Sequence, residues 1–272
     1  MKIGLIVRHA GDIENELTKV QNFGFDCCQI QSWHPELFTA ENAVRIRRLL
    51  KEKGITLSTF WCGWSGPKVW NFYEGPKTLG LIPEEYRAQR VAELKLGAEF
   101  AAKMGACQMA THAGFLPEDP NLPQYEAVVN ALREIAVHAK EQGVAFLFET
   151  GQETPVTLKR VMDDIGTDNL GVNYDPANLL LYGKANPMDA LSILGPYIRD
   201  VHAKDGRYPT DGRSLGTETK LGDGLVDFGV LIGYLKNRSY HGAITIEREI
   251  SGEQQIADIR HAKALLESLI AG

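Results

Sequence analysis

The chain has 272 residues, of which 44% are hydrophobic and 24% are charged. This composition is typical of a globular protein with a sizeable apolar core, and it excludes an intrinsically disordered chain. The formal net charge of -6 and the pI near 5.7 argue against a nucleic-acid partner, because such proteins carry a basic stripe that neutralises phosphates.

The first residues indicate a cytoplasmic protein. Residues 2–7 form an apolar run that continues directly into Arg8 and His9, which is too short for a signal peptide. No stretch approaches the roughly 20 apolar residues of a membrane helix, so no membrane partner is expected. The four cysteines form no C-x-x-C pair, and we predict reduced thiols in or near the core. They are Cys27, Cys28, Cys62 and Cys107.

One pattern recurs along the chain: a helical stretch, a glycine, and then a short apolar, β-rich run. The glycines are Gly24, Gly54, Gly105, Gly143 and Gly242, and each is predicted to end a helix in the left-handed conformation. The pattern predicts alternating strands and helices, with a last helix near 253–270. The predicted strands are 2–7, 25–30, 55–61, 106–111, 144–149, 170–175, 198–203 and 243–248.

Eight such units in a chain of this length favour a closed (β/α)8 TIM barrel over an open doubly wound sheet. The turn after the first strand also lacks the G-x-G-x-x-G pattern that is typical of an open, nucleotide-binding sheet. No linker interrupts the chain, so residues 1–272 are predicted to form a single domain. Two long connections, 62–82 and 204–226, follow strand ends and should cover the catalytic mouth of the barrel.

Several predicted strands end on a polar residue that could bind metal. These residues are His112, Glu149, Asp175, His202 and Glu247. Taken singly, a strand-end glutamate is usually a solvated loop residue, and a strand-end histidine is usually a satisfied polar group. Together, the last four would place three carboxylates and an imidazole in one small apolar-walled space, where a divalent cation offsets the repulsion. This ligand set suits Mn²⁺, Mg²⁺ or Co²⁺ better than a structural zinc site, which prefers thiolates.

These residues and their neighbours resemble the xylose isomerase-like superfamily of sugar isomerases and epimerases. The resemblance covers most of the chain and is strongest over 144–250. It rests on Phe148-Glu149-Thr150, Asn173-Tyr174-Asp175-Pro176-Ala177-Asn178, Val201-His202-Ala203-Lys204-Asp205, 221–228 and 242–247. In ketose 3-epimerases of this superfamily the matching residues hold one metal ion. The resemblance therefore implies Glu149, Asp175, His202 and Glu247 as ligands and the two glutamates as catalysts, with Mn²⁺ as the expected ion and Mg²⁺, Co²⁺ or Zn²⁺ as alternatives.

The departures from the superfamily are also informative. Its endonuclease branch uses further histidine and aspartate ligands for a three-metal cluster. Asn178 and the segment Trp61-Cys62-Gly63-Trp64 stand where that branch has histidine, which argues against nuclease activity. Ketose 3-epimerases carry a histidine at the position of Asn178 and an arginine that Arg207 matches only loosely, so the identity of the sugar stays open.

Further residues are candidates for substrate binding. They are His112, Asn178, Lys204, Arg207, Trp61 and Trp64. Each has a plain structural alternative: a hydrogen-bonded buried histidine, exposed lysine and arginine side chains in the 204–226 loop, or aromatic rings that pack the 62–82 loop itself. The expected partner is a small sugar or keto-sugar, and a homo-oligomer is compatible with the sequence.

The expected activity is proton transfer through an enediolate next to a carbonyl. Such chemistry gives 3-epimerisation of a ketose or an aldose–ketose shift, because two carboxylates can remove and return a proton at one carbon. Two alternatives stay open. One is a lyase of the keto-inositol dehydratase type on the same scaffold, and the other is a non-catalytic sugar-binding barrel.

Overall fold

The computed structural model describes residues 1–272 and is built around eight parallel strands that close into a barrel. The barrel strands are β1 (Lys2–Arg8), β2 (Cys27–Ser32), β3 (Thr56–Cys62), β4 (Gln108–Thr111), β5 (Ala145–Glu149), β6 (Leu170–Tyr174), β7 (Ile198–Ala203) and β10 (Ala243–Ile246). Around the barrel their order is β1-β10-β7-β6-β5-β4-β3-β2. The predicted (β/α)8 barrel is confirmed.

Helices connect the strands and cover the outer face of the barrel. They are α1 (Ile13–Asn22), α2 (Ala40–Lys53), α3 (Gly75–Thr78), α4 (Glu84–Met104), α5 (Pro123–Glu141), α6 (Pro155–Ile165), α7 (Pro176–Leu181), α8 (Pro187–Leu194), α9 (Phe228–Asn237) and α10 (Glu253–Ala271). Side-chain oxygens of Asp12, Thr39 and Asp227 cap the first turns of α1, α2 and α9. None of the helices combines the length and the apolarity that crossing a membrane requires.

The glycine pattern is confirmed at four of its five positions. Gly24, Gly54, Gly105 and Gly143 have φ between 65° and 91°. Gly242 is the exception, because the left-handed residue after α9 is Ser239, with φ of 52°. Gly242 is needed for space instead: a Cβ there would lie 2.2 Å from the Tyr240 hydroxyl, which donates a hydrogen bond to the Ala243 carbonyl.

The 62–82 connection carries the short helix α3 and is held down by one buried arginine. Arg90 of α4 is fully buried and donates hydrogen bonds to the carbonyls of Pro67, Thr78 and Gly80. Gly80 has φ of 63°, and a Cβ there would lie 1.9 Å from the Ala113 carbonyl oxygen. The connection therefore packs directly against the segment that follows β4.

The 204–226 connection folds into a small antiparallel hairpin, β8 (Asp205–Arg207) with β9 (Thr217–Thr219), which the sequence did not predict. The Asp205 carboxylate organises it by accepting hydrogen bonds from backbone N–H groups at 206, 222, 224 and 226. Glu218 of β9 forms an ion pair with Arg248 at 3.0 Å. This contact joins the hairpin to the segment after β10.

The four cysteines form no disulfide. Cys27, Cys28 and Cys62 are buried, as predicted for core thiols. The prediction of a core or near-core thiol is wrong for Cys107, which is exposed in the turn before β4.

Candidate active site

Four consecutive barrel strands bring the predicted ligand quartet together at the carboxyl-terminal mouth. Glu149 ends β5, Asp175 follows β6, His202 lies in β7 and Glu247 follows β10. One ligand atom from each residue lies within 4.8 Å of all the others. The two glutamates come from the outer strands of this arc, with Asp175 and His202 between them.

Burial makes this cluster costly unless a cation joins it. His202 and Asp175 are fully buried, and Glu149 and Glu247 are only 3% and 7% exposed. His202 Nδ1 lies 3.1 Å from Glu247 Oε2, 3.3 Å from Glu149 Oε1 and 3.6 Å from Asp175 Oδ2. Yet His202 Nδ1 and Asp175 Oδ2 are buried atoms without a hydrogen-bond partner. Ligand atoms that converge from four strands, two of them without a partner, fit a divalent metal ion.

Local structure fixes how each carboxylate is presented. Asp175 caps α7, since its Oδ1 accepts a hydrogen bond from the Asn178 N–H at 2.9 Å and leaves Oδ2 directed at the cluster. Glu149 Oε1 accepts a hydrogen bond from the Asn178 side-chain amide at 3.1 Å, and its Oε2 accepts one from the Trp61 indole N–H. Both groups are therefore held before any ligand binds.

Burial and neighbouring charges shift the pKa values of the cluster away from their ordinary ranges. Burial favours the neutral form of Glu149, but the neighbouring His112 and His202 outweigh it and lower the pKa of Glu149. Burial also opposes ionisation of Glu247, whose pKa is nevertheless lowered by Lys204 and His202. Burial dominates at Asp175 and raises its pKa. The pKa of His202 rises well above 6.5, because Glu149 and Glu247 together outweigh its burial.

Three of the predicted substrate-binding residues lie beside the quartet. Lys204 is 3% exposed and its Nζ lies 3.3 Å from Glu247 Oε2. His112 Nε2 lies 3.5 Å from Glu149 Oε1, while its buried Nδ1 has no hydrogen-bond partner. Asn178 contacts both Glu149 and Asp175, as described above. All three side chains therefore border the quartet.

The remaining predicted residues are placed differently. Trp61 is buried, donates its indole N–H to Glu149 and meets the His112 ring edge to face at 5.6 Å between centroids. Trp64 is fully buried under Arg90, whose guanidinium lies 5.3 Å from the indole centroid, so the ring packs the loop. Arg207 is exposed and donates to the carbonyl of Asp223 within the 204–226 connection. Trp70, in contrast, is 38% exposed and its ring centroid lies 5.3 Å from that of His112.

Sequence reasoning missed two buried polar residues beside the cluster. Gln152 is buried and neither of its amide atoms has a hydrogen-bond partner. Glu153 is 2% exposed, and burial raises its pKa to about 8 despite hydrogen bonds from the backbone. Both lie after Glu149 in the loop that follows β5. The sequence prediction considers only the polar residue at the end of each strand, so it does not include the residues that follow.

A groove of about 730 Å³ reaches the cluster from the outside of the barrel. It runs between α1 and α10, and its lining includes Gln31, Glu247 and Glu249. Glu247 thus borders this groove.

The family model of the xylose isomerase-like TIM barrel matches residues 17–269. The chain belongs to this family. Among solved structures, the xylose isomerase domain protein of Planctomyces limnophilus is 34% identical, with a TM-score of 0.93 over 98% of this chain and 96% of that one. A D-psicose 3-epimerase is 21% identical over the full length of both chains, with a TM-score of 0.73, a likeness that shows the fold alone.

The curated relatives of this family member include an inosose dehydratase of Geobacillus thermodenitrificans. It is 20% identical over 250 residues, which are 83% of this chain and 78% of the relative. Across the first three curated relatives the matched region spans between 47% and 78% of their length. Epimerases and dehydratases are therefore both among the proteins that this chain is similar to.

Proposed function

We propose that this protein is a divalent-metal-dependent sugar isomerase or epimerase that moves a proton next to a substrate carbonyl, with 3-epimerisation of a ketose or keto-sugar as its reaction. One observation carries the proposal. Two buried glutamates, Glu149 and Glu247, flank His202 and Asp175 at the barrel mouth, and each has an oxygen within 3.3 Å of the same imidazole nitrogen.

Glu149, Asp175, His202 and Glu247 would hold the ion, with Mn²⁺ as the proposed metal. When bound, a divalent ion supplies Lewis-acid polarisation of the substrate carbonyl, which acidifies the neighbouring C–H bond. Pure sugar binding gives no reason for paired carboxylates at such a site.

The chain's own residues would divide the proton transfer between them. Both glutamates have pKa values held below the ordinary range, so each is an ionised carboxylate able to accept a proton. One carboxylate removes the proton from the substrate carbon. The other first takes up a proton from solvent and then returns it to the opposite face of the resulting planar enediolate. The centre is thereby inverted. Trp61 and Asn178 orient Glu149 for this step.

The neighbouring polar groups would bind the substrate oxygens. His112 offers an unpartnered Nδ1, Gln152 offers an unpartnered amide, and the charged Lys204 ammonium can neutralise the negative enediolate oxygen. Trp70 would lie against the carbon face of the sugar, above His112.

The experiment is a screen of ketoses in D₂O with the Mn²⁺-loaded protein, including D-fructose, D-psicose and D-tagatose. We expect deuterium to enter one substrate carbon as the epimer forms. Glu149→Gln and Glu247→Gln should each abolish product formation, and Glu126→Gln, on the exposed surface of α5, should not. Binding without deuterium exchange for every sugar would instead favour the non-catalytic sugar-binding barrel.

A dehydratase of the keto-inositol type is the second candidate, and one contact favours it. Lys204 Nζ lies 3.3 Å from Glu247 Oε2, so an acid and a base stand side by side. If Glu247 removes the proton, Lys204 can protonate a departing β-hydroxyl, and the atoms balance as loss of water. Incubation with an inosose, followed by mass spectrometry, distinguishes the two reactions, because only dehydration lowers the mass of the product.

A further inference from the structure

A further buried carboxylate lies inside the barrel, below the quartet, and the proposed chemistry does not use it. Asp200 of β7 is fully buried. It forms no ion pair, and its partners are the Thr59 hydroxyl at 2.5 Å, the Gln29 amide nitrogen at 3.3 Å and the Val201 N–H at 2.9 Å. Burying a carboxylate without a neighbouring cation destabilises the fold, so we expect Asp200 to have a role that explains its position in the barrel interior.

Asp200 belongs to a chain of hydrogen bonds that leads to the quartet, which we call the interior column. The Gln108 amide donates to Thr59 Oγ1 at 2.8 Å, and Thr59 donates to Asp200 Oδ2. Gln29 donates to the same Oδ2, and its Oε1 lies 2.7 Å from His202 Nε2. The column is Gln108, Thr59, Asp200, Gln29 and His202.

The column determines which end of the Gln29 amide faces His202. Both oxygens of Asp200 accept hydrogen bonds, Oδ1 from the Val201 N–H and Oδ2 from Thr59, so the NH₂ group of Gln29 faces Asp200 and its carbonyl oxygen faces the imidazole. His202 Nε2 must then carry a proton and donate it to Gln29 Oε1. The opposite nitrogen, Nδ1, is turned toward the three carboxylates of the quartet.

A second amide lies beside the same ring nitrogen. Asn173 Nδ2 is 3.0 Å from His202 Nε2, while Asn173 Oδ1 is buried without a partner. Turning this amide over would present its oxygen to the Nε2–H as a second acceptor and place its NH₂ group in the unpartnered position. Both amides are therefore compatible with a proton on Nε2.

We infer that Gln29 is a positioning residue for the metal site: held by Asp200, it anchors the His202 ring through Nε2–H so that Nδ1 is presented to the metal ion. The inference rests on the proposed metal site but not on any particular reaction. Hydrogen bonds to the far side of a ligand histidine commonly change metal affinity by roughly 10- to 100-fold.

The test measures Mn²⁺ affinity of the full chain by titration calorimetry. Gln29→Leu keeps side-chain bulk out to the δ atoms but removes the acceptor, and should weaken Mn²⁺ binding by roughly 10- to 100-fold. Asp200→Asn should weaken it as well, because an amide at 200 no longer forces the Gln29 carbonyl toward the ring. The double variant Gln29→Glu with Asp200→Asn should restore binding, since its new carboxylate accepts from both the ring N–H and the new amide.

A matched control lies on the same inner face of the barrel. Thr245 of β10 pairs in register with His202, is fully buried, and has a hydroxyl without a hydrogen-bond partner. Thr245→Val should therefore leave Mn²⁺ affinity unchanged. A second readout uses the Mg²⁺-loaded, ¹⁵N-labelled protein: the His202 Nε2–H should give a protected downfield proton signal in the native chain and in the double variant, but not in Gln29→Leu.

Two results would overturn the inference. One is wild-type Mn²⁺ affinity in a folded Gln29→Leu protein. The other is equal loss of affinity in Asp200→Asn and in the double variant, which would mean that the substitutions only disturb the barrel interior. If Gln29→Leu does not fold, the comparison of Asp200→Asn with the double variant decides. Neither readout requires turnover, so failure here is distinct from failure of the D₂O experiment, and the reverse also holds.

Discussion

Lys204 Nζ lies 3.3 Å from Glu247 Oε2, which places an ammonium group against the carboxylate cluster. The same nitrogen is 3.7 Å from Asp175 Oδ2 and 3.2 Å from Glu249 Oε1. Burial alone would lower the pKa of Lys204, but Glu247, Glu249 and Asp175 raise it well above 10.5. The lysine is therefore charged, and it offsets part of the negative charge of the quartet while no metal is bound.

Replacing this lysine should make the protein more dependent on metal. In Lys204→Met the carboxylates lose their internal counter-charge, so the metal-free protein should melt at a lower temperature than the native chain. The affinity of the site for Mn²⁺ should rise by roughly tenfold. Saturating Mn²⁺ should therefore raise the melting temperature more in the variant than in the native protein, as thermal denaturation with and without metal would reveal.

The control for this substitution is Lys140→Met. Lys140 is an exposed lysine on the outer helix α5, and it forms a 2.7 Å ion pair with Asp168. It should leave the metal-induced shift unchanged. An equal shift in Lys204→Met and in the native protein would show that the ammonium does not balance the cluster.

Asp175→Asn should weaken metal binding without lowering the stability of the metal-free fold. The substitution keeps a capping side chain for α7, because asparagine caps helices as well as aspartate does, but it removes one anionic ligand. Burial raises the pKa of Asp175, so an uncharged side chain suits the metal-free fold. The metal-free variant should melt at or above the native temperature, while its Mn²⁺ affinity should fall by about 100-fold or more.

The matched substitution is Asp12→Asn, at the equivalent capping position of α1, where Asp12 Oδ1 accepts from the Asn15 N–H. Calorimetric titration should give native metal affinity for it. A loss of melting temperature in metal-free Asp175→Asn, larger than in Asp12→Asn, would contradict the view that Asp175 serves the metal at the expense of the fold.

The barrel and its quartet could be predicted because both depend on local rules. Apolar runs separated by glycine-ended helices locate the strands, and parallel strands bring their ends to one mouth. A polar residue at a strand end is therefore already placed near others of its kind. Glu149, Asp175, His202 and Glu247 all meet this rule, and no long-range contact has to be known.

Residues whose placement depends on long-range contacts could not be predicted in this way. The direction of Arg207 follows from the hairpin that Asp205 organises through distant backbone N–H groups. The burial of Trp64 follows from Arg90, which holds the loop by donating to backbone carbonyls. Every residue has such a carbonyl, so the sequence does not indicate which ones Arg90 contacts. Gln29 lies in the middle of a strand, and only pairing across the barrel brings it to His202.

Glu153 should make stability depend on pH. Its pKa is about 8 in the folded chain, raised by burial from an ordinary value of 4.5, so the folded state binds this proton more tightly than the unfolded state. Stabilisation is complete below pH 4.5 and is lost as the pH rises toward 8. Glu153→Gln removes this titration, so the native protein should lose up to about 4 kcal/mol relative to the variant between pH 5 and pH 9.

Urea denaturation at a series of pH values measures this difference. Glu126→Gln, which changes an exposed glutamate on α5, should show the same pH dependence as the native chain. Parallel stability curves for the native protein and Glu153→Gln would mean that the carboxyl is solvated and ionised in the fold.

Trp70→Ala should weaken substrate binding without affecting the metal. The Trp70 ring is 38% exposed, lies 5.3 Å from the His112 ring and contacts Trp33 edge to face at 6.0 Å between centroids. Removing an aromatic surface that covers a sugar should raise KM by roughly 10-fold, while Mn²⁺ affinity stays native. The measurement is KM for the ketose that exchanges fastest in D₂O, together with calorimetric titration of Mn²⁺.

Tyr73→Ala is the matched control, because Tyr73 lies on the same connection, is 60% exposed and should face solvent rather than sugar. It should keep the native KM. The contrast also tests whether the aromatic residues of the 62–82 connection have two roles. Trp64 lies against Arg90 and packs the loop, and Trp70, beside His112, is the ring proposed to cover the sugar. An unchanged KM in Trp70→Ala would assign the whole aromatic cluster to loop packing and leave sugar recognition to His112, Gln152 and Lys204.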